Sequence, residues 1–218
     1  MFRPGWAPDT SFKNLILGLF LEMAFSLNMI GDAPTVCGRV GLRDDLRATT
    51  QPMHDQLDQR VAILDLAKRA DYARFLAFHY VALRAIYPLV ADFARTQLGV
   101  VPPPHLQMLQ RDLVAMGQTI ADLPVLDCPQ GIDAAGATYV VAGSRLGLAA
   151  MVKGASFACA NDRENAFVTD RDGLKLWQAL LRWMDGHSHN VAQREHIRMG
   201  AIATFGLFET ALSWITEG

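Results

Sequence analysis

Helical periodicity runs through this chain from Leu42 onward, and it limits the possible folds more than any other feature. Apolar residues recur every three or four positions, and no window alternates apolar and polar residues long enough to predict a strand. Turn-forming residues interrupt the pattern, for example PPP at residues 102–104 and CPQG at residues 128–131. The pattern therefore predicts six or seven helices with short connections, which is an all-α, single-domain multi-helix bundle.

Composition supports a folded chain with a large core. The sequence has 218 residues, of which 51% are hydrophobic and 19% charged, so general disorder is excluded. The formal net charge of −2 gives no electrostatic reason to expect a nucleic-acid partner. The three cysteines are far apart and form no CxxC pair, which argues against a disulfide framework or a cysteine zinc site. A reducing, cytoplasmic location is the expectation that follows.

The first forty residues differ from the rest, so we treat residues 1–40 as an N-terminal extension and residues 41–218 as the helical domain. Residues 14–30 are nearly all apolar. A membrane span would be longer and would avoid a charge such as Glu22 near its centre. The same glutamate interrupts the apolar region of a signal peptide. The third interpretation, an additional amphipathic helix or an extension upstream of the natural start, is the one we favour, so no membrane partner is expected.

A histidine at the edge of the first helical stripe is a candidate metal ligand. His54 follows Met53 in the segment LRDDLRATTQPMHDQLDQR, residues 42–60. A histidine in such a position is most often a core or boundary residue that is satisfied by a hydrogen bond. The alternative is a neutral imidazole that is directed into the bundle and binds haem iron. Arg47 lies about two turns earlier on a similar face, where its guanidinium would pair with a haem propionate.

Two glycines interrupt a second helical segment, TYVVAGSRLGLAAMVK at residues 138–153. Gly143 and Gly147 are one turn apart, and each costs about 1 kcal/mol relative to alanine in a helix interior. One explanation is close packing of another helix against the glycines, and the other is a flat ligand that lies on the bare backbone. Tyr139 lies one turn before Gly143 on the same face, and Ser144 places a hydroxyl beside it. Spacing alone leaves both explanations open.

Taken together, the two segments resemble the bacterial heme oxygenase family, in particular the small biliverdin-producing enzymes associated with bacteriophytochromes. The first segment is similar to the family's proximal helix with its ligand histidine, and TYVVAGSRLG is similar to the distal helix with its paired glycines. Weaker similarities are FLAFHYVALRAIYPLV, ATFGLFETAL and the helix around Trp177. The resemblance covers residues 42–212 and implies a heme oxygenase-like bundle.

The resemblance implies roles for six residues of this chain. His54 would be the proximal ligand of a b-type haem, which is both cofactor and substrate. The distal helix would lie over the haem plane, and its implied catalytic residues are Gly143, Ser144 and Gly147. Two further residues, Arg47 and Tyr139, would meet the haem propionates, so that with the two glycines they form the implied cofactor-binding set.

The family's reaction opens haem to biliverdin, iron and carbon monoxide with O₂ and external electrons. The sequence has no Rossmann or flavin motif, so the resemblance implies an electron-donor protein such as a ferredoxin or a flavin reductase. A bacteriophytochrome is a further implied partner, as the acceptor of biliverdin. The chain departs from the family at Ala142, where members often carry an acid, and at Leu148, where many carry a small residue.

Two other functions remain open at this stage. A haem-binding carrier or sensor on the same fold would keep the ligand and the glycines without turnover, and the departures at Ala142 and Leu148 leave room for it. A thiaminase-like helical enzyme would use no haem, and it is excluded if His54 faces a pocket opposite the paired glycines.

The remaining side chains with chemical potential are expected to have structural roles. His79 and His105 have no partner in the sequence and are interpreted as structural or surface residues. Trp214 is interpreted as a core anchor, and Asp71 as the N-cap of the second helix. Residues 161–169 are predicted to form a polar loop, and the last helix is predicted to run from about Ser188 to Ile215.

Overall fold

The fold is an all-α helix bundle, which confirms the fold class predicted from the sequence. The structure is a computed structural model that describes residues 41–154 and 165–217, without the side chains of 150–154 and 217. Within these ranges it contains no strand, and its α-helices are α1 (Leu42–Val61), α2 (Arg69–Thr96), α3 (His105–Ala115), α4 (Ala134–Gly154), α5 (Ala166–Thr169), α6 (Gly173–Gly186) and α7 (Val191–Glu217). The N-terminal extension, with its apolar residues 14–30, lies outside the described residues.

Helix α2 is the central helix of the bundle, because it packs against α3, α4 and α7. By length and composition alone it could cross a membrane, but 72% of its apolar window is buried inside the fold, so its apolar surface is that of a core helix. The helix ends at Thr96, and the chain then turns through Gly99, whose φ of 66° favours glycine.

Polar side chains determine where two of the helices begin. Asp133 Oδ1 accepts the backbone N–H groups of Ala135 and Gly136 at 2.9 and 3.0 Å, so this residue caps α4. Helix α7 begins at Val191 rather than near Ser188 because of a reciprocal capping box. Asn190 and Gln193 each accept the other's backbone N–H through the side chain, at 2.9 Å.

The prediction that Asp71 caps α2 is wrong. The helix begins two residues earlier, at Arg69, and Asp71 lies within its first turn. There its carboxylate accepts the Asp65 N–H at 3.2 Å and the Arg74 guanidinium at 2.9 Å. The carboxylate therefore ties the α1–α2 connection to the start of α2 instead of capping the helix.

Helices α4 and α7 cross with their backbones in direct contact. A Cβ on Gly136 would clash with the carbonyl oxygen of Ile197, and one on Gly200 would lie 2.7 Å from the carbonyl oxygen of Asp133. In both cases the obstacle is backbone, which cannot move without shifting a helix or its cap. These two glycines therefore permit the contact that joins α4 to α7.

A buried polar cluster holds another side of α4. Arg145, which is 2% exposed, donates from Nη2 to the carbonyl oxygens of Phe167 and Asp170 at 2.6 and 3.2 Å. The carboxylate of Asp170 lies 3.0 Å from His105 Nε2. Burial lowers the pKa of Arg145 to about 10, although Asp170 opposes the shift, so the guanidinium stays cationic at neutral pH.

The same environment also lowers the pKa of the Asp170 carboxyl. Burial raises its pKa, but hydrogen bonds from His105 and from the N–H groups of Asp172 and Gly173, together with Arg145, hold the pKa at about 2. The pair of Arg145 and Asp170 is therefore a buried ion pair that links α4 to the segment between α5 and α6.

His105 has a structural role, which is one of the two interpretations that the sequence offered, because it is fully buried and its Nε2 lies 3.0 Å from the Asp170 carboxylate. Two other expectations need correction in the parts of the chain that the structure describes. The predicted polar loop contains α5, in which Phe167 is 1% exposed and donates its N–H to the Asp112 carboxylate at 2.8 Å; residues 155–164 lie outside the described residues. Trp214 is 59% exposed and is not a core anchor.

His79 should make the stability of the fold depend on pH. Its ring is surrounded by four aromatic side chains, those of Phe75, Phe78, Phe167 and Phe208. Burial lowers the pKa of His79 from 6.5 to about 3, although the Phe75 carbonyl, 2.8 Å from Nδ1, opposes the shift. Between these pH values the unfolded chain binds a proton that the folded protein does not, so stability should be full above pH 6.5 and should fall as the pH approaches 3.

The variant His79→Asn tests this expectation, because asparagine keeps an N–H donor near the position of Nδ1 and does not titrate. The urea midpoint should fall more steeply with decreasing pH in the wild type than in the variant, between about pH 7 and pH 4. The variant's own packing cost shifts its whole curve but leaves the slope difference intact. Parallel pH profiles would contradict the assignment.

Candidate functional site

Four helices surround the position of the predicted site residues. Helix α1 packs on α7, α7 packs on α4, α4 packs on α6, and α6 contacts α1. Helices α1 and α4 therefore form opposite sides of this arrangement, with α6 and α7 between them. The predicted ligand, His54, belongs to α1 and the predicted glycine pair belongs to α4, so the two segments singled out in the sequence occupy opposite sides.

Helix α1 runs parallel to α7, and side-chain pairs along both helices fix its register. These pairs, in order, are Asp45 with Arg194 (3.4 Å), His54 with Phe205 (ring centroids 6.2 Å apart) and Arg60 with Ser213 (2.8 Å). The register places Thr50 in the interior, 4% exposed. His54 follows one turn later on the same face of α1.

A carboxylate one turn away orients the His54 imidazole. Asp58 Oδ2 lies 3.3 Å from His54 Nδ1. Burial raises the pKa of Asp58, while His54 lowers it and the neighbouring Asp55 raises it. A carboxylate on Nδ1 favours the tautomer whose Nε2 carries the lone pair, which is the form that ligates a metal. Sequence reasoning missed Asp58, although its i, i+4 spacing from His54 was a usable signal.

Tyr139 connects α4 to α1. Its phenol interacts with the hydroxyl of Thr50, and the guanidinium groups of Arg43 and Arg47 are close enough to influence it. Burial raises the pKa of Tyr139 above its usual range, and Thr50 and the two arginines partly offset the increase. The predicted residues Arg47 and Tyr139 are therefore near each other. Sequence reasoning did not identify the two other charges that act on the phenol, the cation of Arg43 and the carboxylate of Asp44, which raises the pKa of Tyr139.

The contact between Thr50 and Tyr139 also relates His54 to Gly143. Thr50 lies one turn before His54 on α1, and Tyr139 lies one turn before Gly143 on α4. A turn of this kind advances about 6 Å along a helix axis. Each of the two residues therefore lies about 6 Å along its own helix from one shared interhelical contact.

Gly143 leaves this part of α4 without a side chain. A Cβ at this position would lie 3.5 Å from the Trp177 ring, which is ordinary van der Waals contact. Trp177 also packs on Tyr139, with ring centroids 5.6 Å apart. An alanine therefore fits at position 143, but a larger side chain displaces the indole. Close packing of helix backbones thus explains Gly136 and does not explain Gly143.

The other predicted distal residues have separate environments. The Ser144 hydroxyl donates to the Val141 carbonyl at 2.8 Å, so it is bonded to its own helix. Gly147 is buried. The two positions that depart from the family pattern, Ala142 and Leu148, are both in the hydrophobic core.

The donor set fits a haem better than a free metal ion. In the described part of the chain, no group of three or more His, Cys, Asp or Glu residues could hold a metal ion. A haem needs one protein ligand, since the porphyrin supplies the others. The Nε1–H of Trp177 is buried and has no hydrogen-bond partner among residues 41–154 and 165–217, so a bound molecule with an acceptor would satisfy it. His54, Trp177 and the bare segment of α4 are therefore compatible with a haem.

No protein-family model matches this chain, and no curated protein matches it in sequence. The relation to the heme oxygenases therefore rests on the segments quoted above.

Single substitutions of Gly136 and Gly143 in α4 should show which of these glycines is needed for helix packing. Gly143→Ala should raise the free energy of unfolding of the ligand-free protein by about 0.5–1 kcal/mol, because the methyl group fits and alanine is the better helix former. Gly136→Ala should lower it by several kcal/mol, roughly 3 or more, because the methyl group meets backbone. Urea denaturation of both variants measures the difference. A large destabilisation by Gly143→Ala would show that this glycine is needed for packing.

Proposed function

We propose that this protein is a heme oxygenase, which opens haem to biliverdin, Fe²⁺ and carbon monoxide with O₂ and electrons from a donor protein. The observation that carries the proposal is the Thr50–Tyr139 contact. It relates an oriented imidazole on α1 to a bare stretch of backbone on α4, on opposite sides of a four-helix arrangement. That is the pair of surfaces that a ligand as flat as a porphyrin requires.

On the α1 side, His54 would hold the iron. Haem supplies, when bound, both the redox-active iron and the ring that is oxidised. The Asp58 carboxylate on Nδ1 favours the imidazole tautomer with a lone pair on Nε2, which is the form that binds a metal. Asp58 thereby acts through His54 and is a positioning residue.

On the α4 side, the absence of a side chain at Gly143 would let the ring lie close to the helix, beside the Trp177 indole that packs against this position. No carboxylic acid flanks Gly143, because the neighbours are Ala142, which is fully buried, and Ser144, whose hydroxyl is bonded to Val141. A site without a distal acid disfavours peroxidase-like O–O cleavage and leaves oxidation of the ring as the alternative. The Ser144 oxygen retains lone pairs that can order water at this surface.

At the edge of the site, Arg47 and Tyr139 would bind the propionates. Two guanidinium groups, those of Arg43 and Arg47, act on the Tyr139 phenol. Their charge favours a carboxylate, and the phenol adds a directional donor. By binding the propionates, Arg47 and Tyr139 would restrict the rotation of the ring in its plane and so would influence which part of the ring is oxidised.

The proposal includes partners and a location. Electrons would come from a ferredoxin or a flavin reductase, and biliverdin would pass to an acceptor such as a bacteriophytochrome. A reduced cytoplasm is the compartment in which such donors operate. The single described cysteine, Cys128, is exposed and free, which is compatible with that compartment.

A second candidate function is haem binding without turnover. The departures from the family pattern at Ala142 and Leu148, which are both in the hydrophobic core, favour this candidate because they change the packing beside the paired glycines. A carrier or sensor would use the same ligand, glycines and propionate contacts. The two candidates therefore differ in chemistry rather than in geometry.

Substitution of His54 tests the haem site. Titration of the wild type with ferric haem should give the Soret band of a histidine-ligated complex, and His54→Ala should abolish it because the only proposed protein ligand is removed. Added imidazole should restore a ligated spectrum. The exposed His196 provides the control, since His196→Ala should bind haem as the wild type does. An unchanged spectrum in His54→Ala would end the ligand assignment.

Turnover separates the oxygenase from the carrier. The haem complex, supplied with ferredoxin, its reductase and O₂, should lose its Soret band and gain the broad red band of biliverdin. Gly143→Leu should slow this conversion, because the larger side chain displaces the Trp177 indole and changes the surface of α4 at this position. A complex that keeps its Soret band under these conditions is a carrier or sensor.

A further inference from the structure

Trp177 carries a buried polar group that the fold does not use. The residue lies on α6 and is 6% exposed. Its Nε1–H has no hydrogen-bond partner in the part of the chain that the structure describes. An indole is a donor only, so this group can be satisfied by nothing except an acceptor. Buried donors in native proteins are rarely left without a partner. Trp177 Nε1 is one of eight buried side-chain atoms without a partner in the described residues, and it is the one whose ring packs on Gly143 and Tyr139.

The surroundings of Trp177 indicate the kind of acceptor. The ring lies against two residues of the proposed site, since a Cβ on Gly143 would be 3.5 Å from it and the Tyr139 ring is 5.6 Å away. The Tyr139 phenol is in turn influenced by Arg43 and Arg47. The indole ring is therefore close to a group of two cations, Arg43 and Arg47, and one carboxylate, Asp44, whose net positive charge favours an anionic acceptor.

We propose that the Nε1–H of Trp177 donates a hydrogen bond to a carboxylate of the bound haem and so fixes the rotation of the ring about its bond to His54. This inference rests on the proposed haem site and adds a positioning residue on α6, a helix that otherwise only borders the site. The benzo edge of the indole, at Cζ3 and Cη2, faces Gly143, so Nε1 on the other edge of the ring is directed away from that backbone. A donor on a third helix restricts rotation more than donors on α1 and α4 alone.

A haem with blocked carboxylates tests the proposal directly. The variant Trp177→Phe should bind ferric haem about tenfold more weakly than the wild type, as expected for the loss of a hydrogen bond to a charged group. The two proteins should bind haem dimethyl ester equally, because the ester has lost the charge that the N–H recognises. Trp183→Phe is the matched control: it makes the same change on the same helix, where Trp183 packs on Phe93 with ring centroids 5.2 Å apart, and it should bind both haems as the wild type does.

Two further measurements do not depend on the smaller phenylalanine ring. Benzothienylalanine at position 177 keeps the shape of the indole and replaces only the N–H, so it should reproduce the loss for haem and not for the ester. In the wild type, the ¹⁵N–¹H indole resonance of Trp177 should move downfield and gain protection from exchange when diamagnetic gallium protoporphyrin IX binds. Substitution of the other tryptophans assigns this resonance without altering position 177.

The outcomes separate this inference from the proposed function. Equal weakening of haem and ester, or no weakening in the benzothienyl variant, overturns the role of Trp177 while haem binding through His54 stands. A Trp177 resonance that does not respond to the gallium porphyrin overturns it as well. Failure of the wild type to bind haem overturns both proposals, and a bound haem that is not converted to biliverdin overturns the oxygenase alone.

Discussion

Direct contact between the backbones of α4 and α7 is the constraint on which the rest of the structure depends. Gly136 and Gly200 remove the side chains that would keep the two helices apart. Because α1 packs on α7 and α6 packs on α4, the contact between α4 and α7 links all four helices. A shift of α4 would move Tyr139 away from Thr50 and Gly143 away from Trp177 at the same time. The site is therefore a property of how helices meet and not of any single helix.

Local sequence patterns were sufficient for the fold class and for most helix positions. Apolar periodicity predicts each of the longer helices, because burial of one face is what stabilises a helix of this length in water. The helix starts were less predictable. Asp133 caps α4 with a signal that the sequence displays, whereas the Asn190–Gln193 box was overlooked and Asp71 is used in a connection instead of a cap. An Asp or Asn side chain near a helix start can cap the helix or bond to a neighbouring connection, and the tertiary structure determines which hydrogen bond forms.

The site was predictable to a smaller extent, for a physical reason. His54 and Tyr139 are recognisable as residue types at helical spacing, and Asp58 could have been identified because it lies one turn from His54. The partners Thr50 and Trp177 are distant in sequence from the α4 residues they contact, so no periodicity reports them. The glycines illustrate the same limit: Gly136 and Gly143 look alike in the sequence, yet one meets backbone and the other an aromatic ring.

The placement of Arg145 fixes this part of α4 without help from any bound molecule. The residue lies between Gly143 and Gly147 in sequence, and its side chain is anchored to the carbonyl oxygens of Phe167 and Asp170. These hydrogen bonds are made within the fold, so the helix is already ordered without a ligand. A molecule that bound against α4 would therefore lose little free energy to the ordering of this helix.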